Sequence, residues 1–312
     1  MTTLAFLFPG QGSQSLGMLA GWGNNSAVAA VLAQANAALG EDLAGLIAHG
    51  PADALNLTVN TQPAMLTAAY AAYQAWLGAG GAAPALAAGH SLGEYTAWVA
   101  AGSIGFADAL RTVRVRGAAM QSAVPVGVGA MAAILGLDAA KVVAACAAVS
   151  TADAVVEAVN FNDPNQTVIA GHVAGVAAGI EACKAAGAKR GLGLPVSAPF
   201  HSSLMRPVAQ PLQQQLASIV VQPPQFAVVN NVDVAQPTRA DAIKDGLLRQ
   251  SYSAVRWVET IQAMHAQGIT TFIECGPGKA LAGMVKRIVP DAVVHNVFDE
   301  ASLSAALAAT RA

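Results

Sequence analysis

Charge is scarce in this 312-residue chain: Asp, Glu, Lys and Arg together make up 11% of it. The balance is also nearly even, net −2 with an isoelectric point near 6.3. That excludes a general nucleic-acid binder, which needs a strong basic excess, and leaves room only for local patches. Cysteine is almost missing as well. Cys146, Cys183 and Cys275 are odd in number, far apart and without a CxxC pair. Neither a disulfide framework nor a zinc site follows, and buried free thiols are expected. Long clean hydrophobic runs are absent too, despite a mean hydropathy of +0.48. Met1–Gly40 and Ala54–Gly93 hold no Asp, Glu, Lys or Arg, but Gln, Asn, Thr, Gly and Pro interrupt both. The purest apolar run, Ala123–Leu137, contains Pro125 and several glycines and falls short of the ~20 residues a spanning helix requires. No positive segment precedes an apolar one at the N-terminus, so no signal peptide is expected and the reading is a cytoplasmic protein.

What is abundant is small apolar residue, with 54% of the chain hydrophobic and much of that Ala. Such a chain buries a large core easily and is not disordered. Its length suits one large domain with a smaller insertion, or two similar domains. Thr3–Phe8 reads as a buried strand stopped by the turn-rich Pro9–Gln14. Val28–Leu39 and Met65–Leu77 read as Ala-rich helices, and Ala82–Ala88 as a second strand. Leu92–Ala101 is a helix closed by Gly102, and a longer helix follows over Phe106–Ser122. After Pro125–Gly129 the texture changes to a strand at Ala130–Leu135, a helix at Ala139–Ala148 and strands at Val155–Phe161 and Gln166–Ala170. A helix at Val173–Ala186 and a strand at Gly191–Val196 complete a β-α-β-β-α-β order, which is ferredoxin-like. From Ser203 the longer elements return: a helix to Ile219, a strand at Phe226–Asn230, a helix at Trp257–Gln267 and a strand at Thr271–Glu274. Alternating strands and helices give an α/β fold with a mostly parallel sheet covered on both faces. The expected division is a large domain of residues 1–126 and 198–312 with a small domain, 127–197, inserted.

Gly89-His90-Ser91-Leu92-Gly93 carries the Gly-x-Ser-x-Gly pattern of a nucleophile elbow. A sharp turn from strand into helix needs glycines on both sides, and it exposes the Ser at a helix N-terminus, where the dipole favours a nearby oxyanion. The competing reading of Ser91 is a plain helix N-cap. A Ser nucleophile needs a base, normally His, and six are present. His90 adjoins Ser91 but would point away from it. His49 and His265 read as surface residues. His201 lies in the loop Ala198-Pro199-Phe200-His201-Ser202, where the small unit returns to the large one, and an interface site draws residues from such loops. His172 and His295 remain open as alternatives.

Several motifs agree in order and spacing with one known family. They are Phe8-Pro9-Gly10-Gln11-Gly12-Ser13-Gln14, Gly89-His90-Ser91-Leu92-Gly93-Glu94, Arg116-Gly117 with Met120-Gln121, and Gly129-Ala130-Met131-Ala132-Ala133. Asn160-Phe161-Asn162, Ala198-Pro199-Phe200-His201-Ser202 and Glu274-Cys275-Gly276-Pro277-Gly278-Lys279 complete the set. Over nearly its whole length the chain resembles the malonyl-CoA:acyl carrier protein transacylases of bacterial fatty-acid synthesis. The resemblance implies a hydrolase-like α/β domain with a ferredoxin-like insertion. It implies that Ser91 attacks the malonyl-CoA thioester and that His201 takes its proton. It implies that the backbone carbonyl of Gln250, rather than a buried Asp, orients His201, and that the N–H groups of Gln11 and Leu92 form the oxyanion hole. Arg116 would hold the malonyl carboxylate, which a guanidinium can meet with two parallel donors. Helix pattern alone does not select it, since Arg114 and Arg116 lie at opposite edges of the buried face and either reads as a solvated arginine. The implied partners are malonyl-CoA and acyl carrier protein, with no cofactor, metal, nucleic acid or membrane. A malonate decarboxylase or polyketide transacylase, or a serine thioesterase, would share the same elbow.

Two glycine clusters do not point to nucleotides. Gly276-Pro277-Gly278-Lys279 lacks the length and Lys-Ser/Thr ending of a phosphate loop and reads as a tight turn after a strand. Gly10-Gln11-Gly12 lacks a third glycine in dinucleotide register. Acyl carrier proteins are acidic, so Lys189-Arg190 and Lys286-Arg287 are candidate docking cations, each pair equally readable as solvated surface. His201 is followed by Ser202-Ser203, a mild departure from the family pattern that leaves His201 its role.

Overall fold

A computed structural model describes residues 4–196 and 198–310. Among them nine strands form: β1 (Leu4–Phe8), β2 (Leu86–Gly89), β3 (Gly129–Leu135), β4 (Val156–Asp163), β5 (Gln166–His172), β6 (Arg190–Gly193), β7 (Ala227–Val229), β8 (Thr271–Cys275) and β9 (Val293–Val297). They make two sheets. The larger has the order β7-β2-β1-β8-β9 and every pairing in it is parallel. The smaller has the order β4-β5-β3-β6 and every pairing is antiparallel. With the helices Ala139–Val149 and Val173–Ala185 between its strands, the smaller sheet is ferredoxin-like. The expected α/β fold class is the one observed.

β1 shows why the large sheet is parallel and central. All five of its residues are buried. Leu4, Phe6 and Phe8 pack into one apolar cluster, while Ala5 and Leu7 pack into another on the opposite face. A strand that alternates faces and is buried on both must be covered by helices on both sides. Phe6 meets Tyr73 and Trp76 of the helix Thr58–Gly78 edge-on, and truncating such a ring to Ala costs roughly 3–5 kcal/mol.

Several element bounds differ from the sequence expectations. Thr3, expected to open the first strand, lies outside the described residues. β2 starts at Leu86 rather than Ala82, because the Ala82 carbonyl accepts from Trp76 Nε1 at 2.9 Å. The chain there wraps an indole ring instead of pairing. The helix expected from Met65 begins at Thr58 and runs through Pro63. One proline so near a helix start removes a single backbone bond, and the extra turns pack on the helix Phe106–Ser122. At that crossing an added Cβ on Gly117 would lie 2.8 Å from the Thr58 carbonyl oxygen, so only glycine permits the approach. The segment from Ser203 is a 3-10 turn, Ser203–Val208, followed by a helix, Ala209–Ser218, with Pro207 at the change. The helices Leu43–His49, Ala52–Asn56, Ala240–Gln250, Ala280–Ile288 and Glu300–Thr310, and strand β9, had not been expected.

Candidate active site

Ser91 sits between the C-terminal end of β2 and the helix Gly93–Ala100, with φ at 51°. That left-handed conformation is costly for a non-glycine residue and persists only where the surroundings over-determine it. Here they do. The Ser91 N–H donates to Asn231 Oδ1 at 2.8 Å, and its carbonyl accepts from Gln250 Nε2 at 2.8 Å. The flanking glycines are required by contact rather than by flexibility. A Cβ on Gly89 would lie 1.9 Å from the Gly93 carbonyl carbon, and one on Gly93 would lie 2.0 Å from the Phe8 oxygen.

Three side chains from distant parts of the sequence meet at this turn. Ser91 Oγ is 2.7 Å from His201 Nε2. His201 Nδ1 is 2.9 Å from the Gln250 carbonyl. That oxygen can only accept, so Nδ1 carries the proton and Nε2 is left to accept from the serine. Burial, followed by the Arg116 charge, pushes the His201 pKa down to about 3, so the imidazole is neutral at ordinary pH. Arg116, on the helix Phe106–Ser122, is 1% exposed. Its Nη1 donates to Gln62 Oε1 at 2.9 Å, and its Nη2 to Gln250 Oε1 at 2.8 Å and to Ser91 Oγ at 3.3 Å. The guanidinium stacks 5.5 Å from the centre of the Tyr95 ring, and its buried Nε makes no hydrogen bond among the described residues. Burial lowers its pKa, but a guanidinium starts high enough to stay charged. Arg114, two residues away, instead turns outward to Asn60 and Glu41.

Gln11 and Leu92 line the same cavity, which has a volume of about 560 Å³. Neither backbone N–H has an acceptor among the described residues, leaving both donors free for a ligand oxygen. The opposite wall is apolar and comes partly from the small sheet, through Met131 and Val168, with Met120, Phe200 and Met284 nearby. His90, as its position suggested, turns from Ser91 to Asn162 Oδ1 at 2.8 Å. His172 is engaged elsewhere, accepting from the Val155 N–H, and His295 lies on β9 at the far edge of the large sheet. Among the described residues no three His, Cys, Asp or Glu side chains group as metal ligands would.

The glycine-rich turn after β8 is filled from within. Glu274 accepts from the Leu281 and Ala282 N–H groups at 3.2 and 2.8 Å, so its own carboxylate occupies the helix N-terminus that a phosphate would need. Of the four candidate docking cations, Lys286 donates to the Ala292 carbonyl and Arg287 pairs with Asp163 of the small sheet. Lys189 and Arg190 are exposed. All three cysteines are buried and free. Sequence reading missed three polar side chains of the site: Gln62, Asn231 and Glu94. Glu94 stood in the quoted motif and carried no role. Gln62 and Asn231 had no local signal, since each matters only through a partner far along the chain.

Known proteins of one family match the chain over nearly its whole length. The acyl transferase domain signature matches residues 5–303. The malonyl CoA-acyl carrier protein transacylase of Escherichia coli strain K12 is 52% identical over 308 residues, covering 98% of this chain and 99% of that one. This chain belongs to the malonyl CoA-acyl carrier protein transacylase family. The crystal structure of an acyl-carrier-protein S-malonyltransferase from Burkholderia pseudomallei is 59% identical, with a TM-score of 0.96 over 99% of this chain and 100% of that one. A malonyl-transacylase solved in complex with a type II PKS acyl-carrier protein is 48% identical, also with a TM-score of 0.96, covering 99% and 100% of the two chains. No helix among the described residues of this transacylase family member is long and apolar enough to cross a membrane.

Proposed function

We propose that the chain transfers malonyl from malonyl-CoA to the phosphopantetheine thiol of an acyl carrier protein, through a malonyl ester on Ser91, and so supplies fatty-acid synthesis. One observation carries this reading. A base-paired serine hydroxyl, 2.7 Å from His201 Nε2, also lies 3.3 Å from the buried Arg116 cation. A desolvated charge there is useless to a neutral acyl group and suited to one that ends in a carboxylate.

In the first half-reaction Ser91 Oγ attacks the thioester carbonyl and its proton passes to His201 Nε2. The C–S bond then breaks, and the departing CoA thiolate takes that proton. In the second half His201 accepts the proton of the carrier thiol, the thiolate attacks the Ser91 ester, and the proton returns to Ser91 Oγ. The Gln11 and Leu92 N–H groups would stabilise the oxyanion in both halves, each worth roughly 3–4 kcal/mol of barrier. The Gln250 carbonyl would hold the Nδ1–H tautomer throughout, so no acidic third member is needed. The division into residues 1–126 and 198–312 against 127–197 is part of this reading: the cavity lies between the two sheets, and β3 to β6 all fall inside the second range. A cytoplasmic location also belongs to it.

A polyketide carrier protein is the second reading, because a 48% identical relative was solved with one. A malonate decarboxylase acceptor or a thioesterase activity would use the same serine. Steady-state transfer between malonyl-CoA and purified holo-carrier proteins tests the proposal. Ping-pong kinetics with a fatty-acid carrier supports it, and preference for a polyketide carrier in direct competition favours the second reading. Release of free malonate at the rate of transfer, without any carrier, would make the chain a thioesterase.

A further inference from the structure

We propose that Glu94 is the positioning residue that holds the nucleophile, the base and the acyl-carboxylate clamp in register, although it touches no substrate. Glu94 stands three residues after Ser91, in the first turn of the helix Gly93–Ala100, and is 1% exposed. Its Oε2 accepts from the Asn231 N–H and from Gln250 Nε2, both at 2.9 Å. Its Oε1 accepts from Trp98 Nε1 at 3.4 Å. Every partner donates, which is what an ionised carboxylate requires. Burial pushes its pKa up, and the Gln250, Asn231 and Trp98 donors and the Arg116 charge oppose that push.

Two arms leave this carboxylate. Through the first, Asn231 accepts from the Ser91 N–H and donates to the Gly89 carbonyl, both at 2.8 Å, pinning the strained elbow from both sides. Through the second, Gln250 Nε2 is held on Glu94 and the Ser91 carbonyl, which forces Gln250 Oε1 toward Arg116 Nη2 at 2.8 Å. A flipped amide would set oxygen against carboxylate and N–H against guanidinium, so Glu94 fixes which way the amide lies. The same Gln250 carries the backbone carbonyl on His201 Nδ1. Buried carboxylate and buried guanidinium are thus joined by one amide, which holds Arg116 Nη2 beside Ser91 Oγ, where the acyl group would be carried.

This inference rests on the reading of Ser91 as acyl carrier and Arg116 as clamp, and the test separates the two. Rapid-quench acylation of the full-length protein with malonyl-CoA and with acetyl-CoA gives two rates, read per folded molecule by circular dichroism. Glu94→Ala is expected to slow malonyl acylation by roughly tenfold to a hundredfold and to narrow the malonyl-to-acetyl ratio. Glu94→Gln keeps an oxygen for both donors and should recover most of the loss. The arms can be cut singly if Glu94→Ala does not fold. Asn231→Ala should slow both acyl groups alike, whereas Gln250→Ala retains its main-chain carbonyl and should narrow the ratio. An unchanged ratio in Glu94→Ala, or in Gln250→Ala where the former is unfolded, overturns the inference, as does a lowered melting temperature with wild-type rates. A wild-type protein that takes no acyl group on Ser91 overturns the functional reading and the inference with it.

Discussion

Replacing Arg116 by Ala separates binding of the acyl carboxylate from acyl chemistry in general. The guanidinium is buried at 1% exposure, with Gln62 and Gln250 holding its two ends. A malonyl carboxylate entering beside Ser91 would therefore meet a fixed, desolvated cation rather than a mobile one. Losing one partner of such a buried pair costs about 3–5 kcal/mol, which converts to roughly a hundredfold to several thousandfold in kcat/KM for malonyl-CoA. Acetyl-CoA has no second carboxylate, so its rate should hold or rise. The assay follows release of the CoA thiol with each substrate, and the ratio of the two rates is read. That ratio does not depend on how much of the variant is folded, because both substrates meet the same active molecules. A malonyl preference left intact in Arg116→Ala would refute the assignment of the clamp.

Other outcomes follow from single observations. Burial and the Arg116 charge depress His201 to about 3, and burial lowers His90 too, so kcat/KM for acylation should stay level from pH 8 to pH 5, where an ordinary histidine would already be protonated; a fall centred near pH 6.5 would contradict this. The same depression has a stability consequence: only the unfolded chain takes up that proton between about pH 6.5 and 3, so stability drops as pH falls through that window, by about 1.4 kcal/mol per unit for this group. Gly93→Ala would drive a Cβ to 2.0 Å from the Phe8 oxygen and should cost about 3 kcal/mol or more in urea unfolding, with acylation lost as Ser91 shifts from His201. Glu274→Ala removes the carboxylate that caps the helix Ala280–Ile288, so the urea midpoint should fall by an equivalent of about 1–3 kcal/mol while acylation per folded molecule stays at the wild-type rate.

How much of this was legible beforehand depended on whether the determinant was local. The elbow was, because the tight turn from strand to helix leaves a spaced Gly-x-Ser-x-Gly signature, with Gly89 forced by contact with Gly93 itself and Gly93 by the backbone of Phe8 on the neighbouring strand. The small sheet was, because its β-α-β-β-α-β order is written consecutively. The helix Phe106–Ser122 was found at its observed bounds, since its apolar face repeats cleanly. By contrast β2 was overextended, because a Trp76 contact across a turn diverted Ala82 from the sheet. The site divides in the same way. Ser91 announced itself, and His201 stood out by its loop. Helix pattern could not choose Arg116 over Arg114, and only the resemblance to a family did so. The structure separates them by partners: Arg116 turns in to Gln62 and Gln250, and Arg114 turns out to Glu41. Gln62 and Asn231 were invisible because a buried amide has no sequence signature until its partners are known.

The central claim is that Ser91 carries the acyl group, and peptide mass spectrometry after brief exposure to malonyl-CoA tests it most directly. One malonyl group is expected on the peptide that holds Ser91 in the wild-type protein, with its removal on addition of holo-carrier protein and none in Ser91→Ala. Malonylation of Ser91→Ala at the wild-type level, or label confined to another residue, would contradict it.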